Sequence, residues 1–129
     1  MQIRSAETAG FCFGVERAVS LAEQTAKSCA SAVTLGPIIH NRHVVERFEA
    51  MGLREIARAE DAQPGQTVVI RAHGIPVSEQ QTLAARGAKL VDATCPFVKK
   101  IHVIARQAEE AGRHLLIIGT PTHPEVTAI

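Results

Sequence analysis

The sequence predicts an α/β fold in which helices flank a mostly parallel β-sheet. Helical and strand-like segments alternate along the chain, which is typical of parallel strands joined by crossover helices. The apolar runs at residues 68–70 and 115–118 are continuous, as in strands covered on both faces. Three helical patterns end at a glycine (Gly52, Gly87 and Gly112) and then become strand-like, because glycine adopts the left-handed conformation past a helix end without a Cβ penalty.

Five segments are predicted to form strands: residues 2–9, 32–36, 67–72, 88–92 and 114–119. The predicted helices fall between them: the first opens near Val15, the second runs from His40 to Gly52, the third is short and ends at Gly87, and the fourth runs from Cys95 to Gly112. Val44, Phe48 and Met51 recur at helical spacing, which gives the second helix one apolar face. A loop containing Pro64 and Gly65 precedes the third strand.

Length and composition exclude several classes of protein. The 129 residues suit one domain, or one domain and the beginning of another. The 14 Lys and Arg residues nearly balance the 13 Asp and Glu residues, which argues against a nucleic-acid or membrane surface. No apolar run approaches the ~20 residues of a spanning helix, so we expect a soluble, cytoplasmic protein. The three cysteines are widely spaced and form no Cys-x-x-Cys pair, which indicates neither a disulfide framework nor a zinc finger.

The reactive side chains occupy equivalent positions in this pattern. Each lies in a predicted turn between a strand and the following helix; they are Cys12, His40, His73, Cys95 and His123. Because the carboxyl ends of parallel strands meet at one edge of a sheet, we expect these five residues to form a single site. A helix N-terminus lowers the pKa of a cysteine and attracts anions. The pattern therefore favours a thiolate-bound soft metal centre beside an anionic substrate whose charge the histidines meet.

Some of these residue types also have a structural interpretation. Cys29 lies on the apolar face of the first helix, where a cysteine is most often a small buried hydrophobe. We interpret His43, His102 and His114 as surface or packing residues. A zinc protein that uses Cys12, Cys95 and two histidines remains open as a weaker alternative.

Five ordered motifs resemble those of the LytB family, the 4-hydroxy-3-methylbut-2-enyl diphosphate reductases. They are "GFCFGVERAV", "LGPIIHNRHVVERF", "VIRAHGIP", "VDATCPFVKKIH" and "HPEV", and they extend from about Ile3 to Val126. The resemblance implies reductive removal of a hydroxyl group, which yields isopentenyl and dimethylallyl diphosphates in the non-mevalonate isoprenoid pathway. It also implies ferredoxin or flavodoxin as the electron donor.

The resemblance assigns roles to residues of this chain. It implies a 4Fe–4S cluster on three cysteines with one open iron, and Cys12 and Cys95 match the first two ligands. His40, His73 and His123 match the histidines around the substrate diphosphate, and Glu125 matches the acid that supplies protons toward the departing hydroxyl.

The resemblance covers the amino-terminal portion of a three-lobed fold. We expect residues 1–95 to form the first lobe and residues 96–129 to begin a second, truncated lobe. The third cluster cysteine and the later Ser, Thr and Asn residues of the substrate site have no counterpart here. We therefore expect residues of the helix from Pro96 and of the strand from His114 to be exposed. The alternative function is a non-catalytic remnant lobe that binds an anion or an adventitious metal.

Overall fold

A computed structural model describes all 129 residues and contains one four-stranded sheet in which every pair of neighbouring strands is parallel. The strands are β1 (Val33–Leu35), β2 (Arg54–Ile56), β3 (Thr67–Ile70) and β4 (Lys89–Asp92). Their spatial order is β2-β1-β3-β4, so β1 and β3 are central. In register, Leu35 pairs with Ile70, and Ile70 pairs with Asp92. The α/β class with a parallel sheet is therefore confirmed.

Helices connect the strands as the sequence pattern predicts. They are α1 (Phe13–Ser28), α2 (Arg42–Ala50), α3 (Val77–Ala85), α4 (Pro96–Glu110) and the short α5 (Pro124–Thr127), with a 3₁₀ turn at Ala59–Asp61. The glycines after α2, α3 and α4 have φ values of 86°, 68° and 63°. At each end, the amide after the glycine donates to a carbonyl one turn back in the helix, as Leu53 does to Phe48.

Two apolar layers cover the two faces of the sheet. Successive side chains of a strand point to opposite faces, and in β3 Val69 contributes to one layer while Val68 and Ile70 contribute to the other. The first layer includes Ala18 and Ala22 of α1 and Phe48 of α2. The second includes Leu83 of α3. The central strands are thus buried on both faces, which is why their sequences are continuously apolar.

Two predicted strands are wrong. Residues 2–9 and residues 114–119 form no strand, and every one of them is exposed. A strand needs a partner for its backbone N–H and C=O groups, and neither segment pairs with the edge strands β2 or β4. The sequence pattern indicates that these residues tend to form a strand, but it does not indicate which strand they would pair with. Conversely, β2, a strand of three residues that follows Gly52, is not among the five predicted strands.

The exposure expected for the carboxyl-terminal part of the chain is observed. Phe97 and Ile104 of α4 are 70% and 51% exposed, and Leu116 and Ile118 are 81% and 92% exposed. Only Val98 and Ala105 of α4 are buried. The division into lobes at residues 95 and 96 stays a prediction. None of the helices combines the length and apolarity required to cross a membrane.

Ile38 offers a test of the first apolar layer. Its side chain is 2% exposed and belongs to the same cluster as Phe48 and Val69. We expect Ile38→Val to lower the free energy of unfolding by about 0.5–1.5 kcal/mol, because the lost methylene leaves a cavity. Ile104→Val makes the same chemical change at an exposed position and is expected to cost less than about 0.5 kcal/mol. Urea unfolding measures both; equal losses would contradict the assignment of the core.

Candidate functional site

Three of the predicted histidines converge. The ring centroids of His40 and His73 are 4.5 Å apart. The ring centroid of His123 lies 5.8 Å from that of His40 and 5.7 Å from that of His73. One nitrogen from each ring falls within 4.8 Å of the others. His40 follows β1 and precedes α2, His73 follows β3, and His123 immediately precedes α5. We refer to His40, His73 and His123 as the histidine triad.

The triad places polar rings in a partly desolvated and electropositive setting. Burial, and to a smaller extent the neighbouring His40, Arg71 and His123, together lower the pKa of His73 to about 4. His73 is therefore neutral at neutral pH. Its Nδ1 is buried without a hydrogen-bond partner. A buried polar atom without a partner is costly. Nε2 of His102 is also buried without a partner, but only His73 has two further histidine rings beside it.

His123 has a fixed tautomer. Its Nδ1 accepts a hydrogen bond from the backbone amide of Glu125 at 3.2 Å. A neutral imidazole has one donor and one acceptor nitrogen, so Nε2 of His123 carries the proton. His123 thus presents a hydrogen-bond donor away from its own helix. Pro124 at the first helical position places Glu125 in the first turn of α5.

Cys12 and Cys95 both lie immediately before a helix. Cys12 is the N-cap of α1 and Cys95 the N-cap of α4, and neither side chain caps its own helix. Gly14, in the first turn of α1, is buried, and a Cβ at this position would overlap Sγ of Cys95. The thiol of Cys95 therefore rests against the first turn of the helix that Cys12 opens. The sequence alone does not reveal this contact.

Two of the predicted turns are not strand ends. Cys12 and His123 follow the segments 2–9 and 114–119, which form no strand, so each lies at the start of a helix that no strand of the sheet precedes directly. His40, His73 and Cys95 do follow strands of the sheet.

Cys29 lies at the opposite edge of the sheet from His73. Its thiol donates a hydrogen bond to the hydroxyl of Thr67 at 3.5 Å, and Thr67 is the first residue of β3, whereas His73 follows the end of that strand. Cys29 also packs against the first apolar layer. Its pKa is lowered, chiefly by the hydrogen bond with Thr67.

Sequence reasoning missed Arg71. Its Nε donates to the carbonyl of Gly74 at 3.1 Å, and its guanidinium lies against Gly36, where a Cβ would come within 2.7 Å of Nη1. The only signal in the sequence for a role of Arg71 is its position between a buried strand and the candidate residue His73. His102 is a packing residue, as expected: its ring lies against Gly74, and burial lowers its pKa although Asp92 and Glu125 oppose that shift.

Two cavities lie near the carboxyl-terminal residues. A hollow of about 350 Å³ is mainly apolar, and His123 and Glu125 form part of its wall beside Ile101 and Ile104. A larger cavity of about 590 Å³ lies between α3, α4 and the chain end and includes His102 but no member of the histidine triad. Only the first of these joins the apolar surface to the candidate reactive groups.

The fold and the site define a class: an α/β protein with a parallel sheet, three histidines that lie close together, and two cysteines that each precede a helix. The model of the LytB protein family matches residues 3–129, so the chain belongs to the LytB family. The family resemblance inferred from the motifs is thereby confirmed.

Relatives and solved structures agree with this membership. The chain is 46% identical over 122 residues to 4-hydroxy-3-methylbut-2-enyl diphosphate reductase from Aquifex aeolicus, covering 94% of this chain and 42% of the relative. It is 48% identical to the reductase of that name from Oleidesulfovibrio alaskensis, covering 100% of this chain and 46% of the relative.

Two solved reductase structures match the fold. One, described as the terminal enzyme of the non-mevalonate pathway, has a TM-score of 0.81 at 45% identity and covers 95% of this chain and 44% of its own. The other, from Plasmodium falciparum, has a TM-score of 0.87 at 30% identity and covers 95% of this chain and 39% of its own. The chain thus spans a little under half the length of these proteins.

His73 is expected to make stability depend on pH. Between pH 6.5 and about 4 the unfolded chain protonates this histidine while the folded chain does not. The free energy of unfolding should therefore fall as the pH is lowered through this window, and His73→Asn should reduce the slope. Urea unfolding at neutral pH and at about pH 5 measures it. The exposed His114→Asn is the control and should retain the parent's slope; an unchanged slope in His73→Asn would contradict the prediction.

Proposed function

We propose that this chain provides part of the active site of a 4-hydroxy-3-methylbut-2-enyl diphosphate reductase that forms isopentenyl and dimethylallyl diphosphates. The observation that carries the proposal is the convergence of the histidine triad, in which His73 also has a buried Nδ1 without a hydrogen-bond partner. The family membership and the names of the relatives support it. The proposed setting is the cytoplasm, with ferredoxin or flavodoxin as electron donor.

The histidine triad is proposed to hold the substrate diphosphate. Its nitrogens are close enough together to contact a single anion, and the fixed tautomer of His123 supplies one donor from Nε2. An anion at this position favours the protonated form of His73, which burial and the neighbouring positive groups otherwise disfavour. Hydrogen bonds in which a partner is charged are about twice as strong as neutral ones, so protonation on binding strengthens the contact.

The same tautomer argues against a metal ion in the triad. A metal ligand must offer a lone pair, whereas Nδ1 of His123 already accepts from Glu125 and Nε2 therefore bears a proton. Binding an ion would require His123 to give up its hydrogen bond at the start of α5. An anion uses the geometry as it stands, which favours the diphosphate over zinc.

Cys12 and Cys95 are proposed as two ligands of a 4Fe–4S cluster. The donor chemistry fits, because both are free cysteines before helix N-termini, and the missing side chain of Gly14 leaves room for Sγ of Cys95. When bound, the cluster supplies an iron that acts as a Lewis acid toward the substrate hydroxyl and delivers electrons. Cys29 lies at the other edge of the sheet, so the third thiolate is proposed to come from outside residues 1–129.

Glu125 is proposed to supply a proton toward the departing hydroxyl. Its side chain is half-buried in the wall of the apolar hollow, next to His123. The bond from its amide to Nδ1 of His123 links the position of this acid to the orientation of a diphosphate-binding ring. The apolar side chains of this hollow are proposed to contact the hydrocarbon part of the substrate.

Inorganic pyrophosphate tests the triad without a cluster. We expect it to bind the chain, and His73→Asn to weaken binding about tenfold, because a charge-assisted hydrogen bond is lost. The ratio of parent to variant affinity should grow as the pH is lowered from about 8 to about 6, because binding takes up a proton at His73. Comparison at each pH cancels the titration of the ligand itself, and calorimetry measures both constants. His43→Asn, an exposed change on α2, is the control; equal affinities of His73→Asn and the parent would refute the role.

Turnover tests the complete function. Protein purified anaerobically from its source cells and reduced chemically is expected to convert 4-hydroxy-3-methylbut-2-enyl diphosphate into both products, measured by mass spectrometry. Residues 1–129 alone, given iron and sulfide, are expected to hold little cluster, and the iron they bind should be lost in Cys12→Ser and Cys95→Ser but not in Cys29→Ser. Absence of both products from iron- and sulfide-replete protein would contradict the reductase, as would equal iron retention by all three variants.

A further inference from the structure

Gly14 sets how closely the Cys95 thiol approaches α1. Gly14 is the second residue of α1, two positions after Cys12, and it is buried. A Cβ on Gly14 would overlap Sγ of Cys95 and would lie 3.1 Å from Cβ of the same residue. The Cys95 thiol therefore lies against the first turn of the helix that Cys12 caps, although 83 positions separate the two cysteines in the sequence. Any side chain at position 14 would displace Cys95.

Arg17 joins the same two parts of the chain from the same face of α1, three residues after Gly14. It lies on α1, five residues after Cys12, and its guanidinium reaches the segment that precedes Cys95. Nη1 donates to the carbonyl of Thr94 at 3.2 Å, and Nη2 donates to the carbonyl of Asp92 at 3.4 Å. The planar guanidinium can reach two carbonyl acceptors that lie two residues apart, each with its own nitrogen, whereas a lysine has only one nitrogen.

The segment held by Arg17 is otherwise tightly bonded. The amide of Thr94 donates to the carboxylate of Asp92 at 2.9 Å, and the amide of Cys95 donates to the carbonyl of Ala72 at 2.9 Å. Thr94 itself is 4% exposed. A movement of α1 relative to this segment would therefore have to break the two contacts of Arg17 and alter the contact at Gly14.

We propose that Arg17 and Gly14 are positioning residues that fix the separation of the Cys12 and Cys95 thiols. Arg17 holds α1 on the segment before Cys95, and Gly14 lets the Cys95 sulfur rest on the first turn of the helix. This assignment rests on the proposed function for its purpose, since a fixed pair of thiolates is what a shared cluster requires. Neither residue contacts the substrate or takes part in proton transfer.

Phenylarsine oxide probes the separation without iron. The reagent joins two neighbouring thiols through two arsenic–sulfur bonds and releases one water, with no change of oxidation state. In a Cys29→Ser background only Cys12 and Cys95 remain, and we expect one equivalent to bind and both thiols to become unreactive toward a disulfide reagent. Arg17→Gln and Gly14→Ala should each weaken this binding about tenfold. This is the effect typical of residues that do not bind the ligand themselves but orient the side chains that do.

Matched controls separate positioning from lost stability. Nε of Arg86 donates to the carbonyl of Ala62 at 2.6 Å, so Arg86→Gln removes an equivalent contact far from the thiols. Gly119→Ala adds a Cβ that would lie 3.0 Å from the side chain of Val126. Both controls should keep the affinity within about twofold. Thermal unfolding followed by circular dichroism confirms that each variant is folded.

Each result decides the proposal. It stands if Arg17→Gln and Gly14→Ala weaken arsenical binding while both controls do not. It is overturned if the parent does not bind the reagent with both thiols, if the two variants bind like the parent, or if Arg86→Gln loses as much. Should Arg17→Gln be unfolded, Arg17→Lys replaces it, and parental affinity in that variant overturns the proposal. The arsenical experiment contains no iron and therefore does not test the cluster assignment. That assignment is tested separately by measuring the iron content of the protein purified from its source cells.

Discussion

One row of backbone hydrogen bonds at the carboxyl edge of the sheet determines where most of the candidate site lies. Ala72 donates to the carbonyl of Ile38 and accepts from the amide of Cys95, at 3.1 Å and 2.9 Å. Ala72 is itself 6% exposed, so water does not compete for these bonds. The row continues the pairing of β1, β3 and β4 beyond the strands, and His40, His73 and Cys95 lie on it or next to it. Its geometry depends on the parallel register, in which all carboxyl ends point the same way.

The sequence predicts the part of the fold that depends on local pattern and burial. Continuous apolar residues at 68–70 indicate a central strand because such a strand must be covered on both faces, and Gly52, Gly87 and Gly112 mark helix ends because each adopts a positive φ. Residues 114–119 have an equally apolar pattern and form no strand. Pairing depends on a neighbour that a single segment does not encode, so apolar sequence alone cannot distinguish the two cases.

The candidate site is predictable in membership but not in physical detail. The positions of His40, His73 and Cys95 after strands suffice to predict that they approach one another, since topology fixes the edge. The contact of Cys95 with Gly14, the hydrogen bonds of Arg17 and the neighbouring charge of Arg71 depend on how α1 and the loops pack on the sheet. These contacts join residues far apart in the sequence. No spacing rule connects them, because side-chain packing rather than periodicity brings them together.

In the histidine triad, an arrangement that is electrostatically unfavourable by itself becomes favourable when an anion binds. His40, His123 and Arg71 lie near the half-buried ring of His73, and burial together with these neighbours keeps His73 neutral at neutral pH. Its Nδ1 has no hydrogen-bond partner. This arrangement costs stability at low pH, where the unfolded chain protonates His73 and the folded chain does not. The proposed diphosphate offsets this cost, because it supplies a hydrogen-bond partner for Nδ1 and compensates the positive charge. An arrangement that is unfavourable alone and favourable around an anion is what distinguishes a binding site from a group of packing histidines.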